Sequence, residues 1–167
     1  MNVIPPLLSP SHSTHRNQID MLKILSLAVA VALGVVAIAN GIFMLVAPEN
    51  WYFAVPGVTT TGPFNQHFVR DIGLIFVFIG GAFLLGVARA DLRIVFWAAP
   101  SLWLAGHALF HFWEVAVGIC SASVIPRDFP AVTLPAVLGL SITTWAMTEK
   151  CSKRVLGAKG GQAISKL

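Results

Sequence analysis

The residues best able to do chemistry sit in two short runs set in apolar sequence. They are Asn65-Gln66-His67-Phe68-Val69-Arg70-Asp71 and His107-Ala108-Leu109-Phe110-His111-Phe112-Trp113-Glu114. At the α-helical repeat, His107, His111 and Glu114 fall within about 60° of one another and form one stripe. His67 and Asp71, four residues apart, share a face with Arg70 on its flank. Two imidazoles at i and i+4 can bind one ion together, and a carboxylate one turn further on can add to the set. The expected metal ligands are therefore His67, His107, His111 and Glu114. Such donors suit the transition metals zinc, copper or iron better than calcium or magnesium. The HxxxHxxE order lacks the HExxH arrangement that sets a base beside the zinc of a metalloprotease.

The same residues support two other readings. A pocket walled by Arg70, Asp71, Trp103 and Phe110, with Phe64, Phe68, Phe112 and Trp113 near it, suits a redox-active ligand such as a quinone. His and carboxylate groups there can exchange protons with it. The sequence has no CxxCH and no flavin fingerprint. Histidines four apart on one helix point the same way, which does not suit clasping a haem from both faces. In the third reading, Arg70 and Asp71 pair with His111 and Glu114 in an ion network that fixes helix register. The chain is then a non-catalytic accessory or scaffold subunit of a membrane complex. The residues alone leave all three open.

Elements that position these groups follow from composition. Of 167 residues, 56% are hydrophobic and 11% charged, and the mean hydropathy is +0.79. An ordinary soluble domain carries roughly 25% charged residues. Eleven basic and seven acidic side chains cannot cover a globule of this size. A soluble enzyme, a disordered chain and a nucleic-acid binder are excluded on that ground. Crossing a bilayer takes about 20 apolar residues per helix, and four stretches qualify, at about 24–47, 68–88, 94–118 and 130–148. None alternates like a membrane β-strand. The expectation is an all-α, integral membrane four-helix bundle forming one domain over 1–167.

Charge sets the orientation. Arg16, Lys23, Arg89, Arg93, Lys150, Lys153, Arg154, Lys159 and Lys166 fall on one side, and only Arg70 and Arg127 on the other. The positive-inside rule then puts both termini in the cytoplasm of a bacterial inner (plasma) membrane, with tails at 1–20 and 150–167. The basic C-terminal tail is expected to rest on anionic headgroups. Lys23, the apolar run after it and Ala37-Ile38-Ala39 have the outline of a signal peptide. The long polar lead and the continuing run to Val46 point to a retained span. On this topology His107 and Glu114 lie between about 21 and 31 Å beyond Arg93, at the depth of His67 and Asp71. The short 89–93 link makes the second and third helices neighbours, so both polar groups are expected in one outward-facing pocket.

Local signals refine the picture. Ala30, Gly34, Ala37, Gly41 and the Gly80-Gly81 pair suggest close helix contacts. Asp128 and Pro130 suggest a cap and first turn, and Pro100 and Pro135 suggest kinks. Trp51, Tyr52 and Phe53 are expected at headgroup depth, in a loop that Pro56-Gly57 and Gly62-Pro63 fold back, either as a lid on the pocket or as a simple interfacial hairpin. Cys120 and Cys151 fall at opposite ends of spans, too far apart for a disulfide.

The run Gly41-Ile42-Phe43-Met44-Leu45-Val46-Ala47-Pro48-Glu49, with Arg70-Asp71-Ile72-Gly73 opening the second span, resembles the DoxX-like group of small bacterial four-helix membrane proteins. The resemblance covers about residues 24–148 and implies a four-helix architecture. Some members of that group are linked to quinone-coupled sulfur oxidation, and many have no assigned activity. The HxxxHxxE stripe lies outside the shared pattern, so the resemblance implies architecture and not a site.

Overall fold

Small residues spaced along two helices decide how the chain packs. The computed structural model describes the backbone of residues 10–164 and the side chains of Thr14 and of residues 17–152. Helix α1 (Pro10–Val46) is followed by a short α2 (Pro48–Ala54), a 3-10 turn (Val58–Thr60) and α3 (Gln66–Ala88). On α1, Ala30, Gly34, Ala37, Gly41 and Met44 are buried at alternating four- and three-residue steps. Gly73 and Gly80 of α3 repeat that spacing. A Cβ added at Gly41 would strike the Gly73 carbonyl, and one at Gly80 would strike the Gly34 carbonyl. The backbones of these antiparallel helices therefore touch, which only glycine permits. Gly81 faces open space, so one member of the expected pair makes the contact and the other does not.

The second half is built from α4 (Arg93–Ala116), α5 (Val124–Asp128), a π-helical segment (Phe129–Thr133) and α6 (Leu134–Ile164). α4 packs chiefly on α6, and α3 joins the two halves through α4. Ser101 and Thr143 share a buried hydrogen bond of 3.2 Å between α4 and α6, and Ser101 packs on Gly139. Trp97, fully buried, donates from Nε1 to the Phe83 carbonyl at 3.1 Å and so ties α4 to α3.

Among the described residues all regular structure is helical, and four stretches are long and apolar enough to cross a membrane. They are Asn17–Val46, Gln66–Ala88, Arg93–Ala116 and Val124–Ser152. Large apolar side chains such as Val36, Phe78, Val95 and Leu109 point outward from them, as a bilayer-embedded bundle requires.

The first span begins at Asn17 and the fourth runs on to Ser152, both beyond the expected 24 and 148, and two further boundaries differ for identifiable reasons. The third span stops at Ala116 instead of 118 because Gly118 adopts φ +81°. Ile119 N–H then bonds to the Glu114 carbonyl and Gly118 N–H to the Val115 carbonyl, a Schellman closure. The fourth begins at Val124, upstream of the expected 130. Pro130 lacks the N–H of a regular turn, and the helix widens there without ending, with Leu134 N–H donating to the Phe129 carbonyl. Asp128 therefore lies inside a continuous helical run and makes no capping bond. Arg16, Lys153, Arg154, Lys159 and Lys166, which carry much of the charge asymmetry, have side chains outside the described residues.

Candidate functional site

Rotation of α3 about its own axis separates the two polar groups. With Gly73 and Gly80 held against α1, the opposite stripe of α3 carries His67, Asp71, Leu74, Phe78 and Leu85, all exposed. His67 Nε2 meets Asp71 Oδ2 at 3.2 Å, with side chains 88% and 55% exposed. This is a surface pair one turn apart, of a kind that contributes little to stability. Arg70 turns toward α1, where its Nε donates to the Leu45 carbonyl at 3.1 Å. Leu45 lies in the last turn of α1, whose carbonyls lack helical partners, so Arg70 satisfies a helix end. Asn65 caps the start of α3 by accepting from Phe68 N–H at 3.1 Å.

The second and third spans are neighbours, as the short link requires: Phe76 of α3 meets Trp103 of α4 edge-on at 5.5 Å. Trp103 stacks on His107 at 5.2 Å, and His107 meets His111 edge-on at 4.8 Å. The i, i+4 histidine stripe thus forms on α4. Its anionic partner is not Asp71. His111 Nδ1 lies 3.4 Å from Asp128 Oδ2, with side chains 27% and 16% exposed. Arg127 grips the same carboxylate with two nitrogens, at 2.6 and 3.2 Å. A file of side chains, Phe76–Trp103–His107–His111–Asp128–Arg127, therefore runs from between α3 and α4 out to α5.

The first loop closes over the Arg127 end of this file. Gly57, at φ +88°, lies directly against the Arg127 guanidinium, and a Cβ there would collide with it. Tyr52 pins the loop by donating to the Gly62 carbonyl at 2.6 Å and by packing against Phe64. Trp51 donates to Asn40 Oδ1 at 2.9 Å. Of the three expected belt aromatics, Phe53 is exposed, while Tyr52 is buried and Trp51 half-buried.

Several site residues fall elsewhere than expected. Among the described residues no three His, Cys, Asp or Glu side chains gather closely enough to hold a metal ion. The expected four-ligand set of His67, His107, His111 and Glu114 is not assembled, because His67 points outward from α3 and Glu114 has no side-chain ion partner among the described residues. Phe110 is an outer-face residue, half exposed and stacked on Trp113 at 5.6 Å. Arg70 and Asp71 belong to the α1 and α3 surfaces, so of the expected ligand-pocket residues only Trp103 sits beside the histidines. The cavity beside His111 and Asp128 measures about 10 Å³, the room of a single water. Asp128 and Arg127 escaped the sequence reading because a helix start was assigned at Pro130, which made the aspartate a cap. A charged pair inside an apolar run was the available signal.

The other end of the bundle holds a second polar cluster. Arg93, 8% exposed, donates from Nε to the Gly86 carbonyl at 3.0 Å and from Nη2 to the Val87 carbonyl at 3.5 Å. Its guanidinium lies over Trp97, 5.3 Å from the ring centre, and Nη1 is 3.9 Å from Glu149. It caps the last turn of α3 much as Arg70 caps α1. Cys120 and Cys151 are both free, one beyond the end of α4 and one late in α6. The chain matches no family model, no curated protein and no solved structure.

Proposed function

We propose that this chain is a DoxX-like protein of a bacterial inner membrane, with both termini cytoplasmic, that serves as a non-catalytic scaffold or accessory subunit of a membrane complex. In this reading the His107–His111–Asp128–Arg127 file is a structural ion network on the outer side. The carrying observation is that His111 and Arg127 converge on the one shielded Asp128 carboxylate, beside a space no larger than a water. Asp128 of α5 set against His111 of α4 acts as a register lock between the two helices, and the space beside the pair has the room of one water. The Lys and Arg asymmetry of the sequence, nine against two, supports the orientation.

A second reading keeps one specific support. His107 and His111 touch, and Trp103 lies flat on His107, an arrangement that offers two nitrogen ligands to a transition metal or an edge to a quinone ring. Elemental analysis and quinone extraction of purified protein, beside a His107→Ala/His111→Ala variant, separate the two. Near-zero metal and quinone in both proteins, with a lowered unfolding temperature in the variant, is the expected result. Stoichiometric metal or quinone that disappears in the variant would replace the scaffold reading.

A further inference from the structure

A cavity of about 150 Å³ opens where α3 passes to α4, between the connecting turn and α6. It is roughly ten times the room one water needs. Ile94 and Ala146 supply apolar lining, and Asp91, Arg93, Glu149 and Lys150 supply charge. Two cations and two anions line the cavity, with Arg89 beside it 3.7 Å from Asp91, so this mixed lining suits neither a bare anion nor a bare cation. Buried Arg93 spends Nε and Nη2 on carbonyls of α3, while Nη1 stands 3.9 Å from Glu149, beyond hydrogen-bonding reach. Among the described residues Nη1 has no hydrogen-bonded acceptor, and it belongs to a side chain that lines the cavity. Guanidinium donors of this kind select phosphate oxygens. Arg93 begins one apolar stretch and Lys150 lies close to the end of another, which sets the cavity at the border of the membrane-spanning region.

We propose that this cavity binds the zwitterionic headgroup of a phosphatidylethanolamine-type lipid, its phosphate toward Arg93 and Lys150 and its ammonium toward Asp91 and Glu149. A primary ammonium donates hydrogen bonds to the two carboxylates. A trimethylammonium has no N–H to give, and a glycerol headgroup carries no positive charge.

The full-length protein is reconstituted in vesicles of equal parts phosphatidylethanolamine and phosphatidylglycerol, and separately with phosphatidylcholine in place of the latter. It is then extracted in detergent, and the retained lipid is counted by native mass spectrometry. Phosphatidylethanolamine should be retained about fivefold over either competitor, the scale of one hydrogen bond from the ammonium to a carboxylate. Asp91→Asn should abolish the preference, and Lys150→Ala should lower retention of all three lipids alike because each carries the phosphate, both at exposed positions and at unchanged unfolding temperature, while Lys23→Ala on α1 changes neither readout. An absent preference, one that survives Asp91→Asn, or total lipid retention unchanged in Lys150→Ala overturns the proposal. Displacement of the lipid by free phosphoethanolamine at equal concentration would overturn it too, in favour of a soluble ligand of the same chemistry.

Discussion

Asp128 is where a single side chain matters most. It stands between half-buried His111 and exposed Arg127, so its loss removes the ion partner of His111, while Arg127 returns to solvent. Asp128→Ala is expected to cost about 1–2 kcal/mol, within the range for hydrogen bonds to charged groups. Asp71→Ala removes only the exposed pair with His67 and should change stability by less than about 0.5 kcal/mol. Thermal unfolding in detergent reads both, and equal losses would refute the separation of the two polar groups. Residue type and spacing made the α4 histidine stripe legible, because i and i+4 positions adjoin on any helix. Its partner was not legible, since Asp128 comes from a different helix and no periodicity links the two.

Helix contacts turn on glycine. At Gly80 an added methyl meets the Gly34 carbonyl and Ile38, whereas at Gly81 it meets nothing within 4 Å. Gly80→Ala is therefore expected to destabilise the α1–α3 pair by about 1–3 kcal/mol through overpacking. Gly81→Ala should be neutral or stabilising by up to about 1 kcal/mol, the gain in helix propensity. The two variants, adjacent in sequence and opposite in sign, are compared by unfolding temperature in one detergent. Matching shifts would mean that α3 is rotated differently from the arrangement described. That rotation has a consequence for chemistry: it sends His67 and Asp71 to the outer stripe with Leu74 and Phe78. The pairing of α3 with α4 was readable from the short link, but which face of α3 looks inward was not.

At the scale of the whole molecule, topology is the testable quantity. Cys120 follows α4 and Cys151 lies late in α6, at opposite ends of the bundle. A membrane-impermeant maleimide added to intact inner-membrane vesicles with the cytoplasmic face outward should label Cys151 and spare Cys120. Spheroplasts should give the reverse pattern, and labelling of Cys151 from the spheroplast exterior would invert the proposed orientation. Number and rough extent of the apolar helices were determined by the sequence itself, because burying backbone polar groups in hydrocarbon leaves a long apolar run few alternatives to helix. Even there, the fourth helix began earlier than its proline suggested, since a π-helical widening absorbs what a regular turn could not.

Composition and hydropathy thus decided the class of this protein and its helical spans, which depend on each segment alone. Tertiary structure decided which polar groups meet. Glycine-to-carbonyl contacts fix how α3 is turned, and the continuation of the fourth helix through Pro130 delivers Asp128 to His111. Both outcomes depend on distances between segments far apart in the chain, and steric fit between backbones supplies information that no local pattern carries.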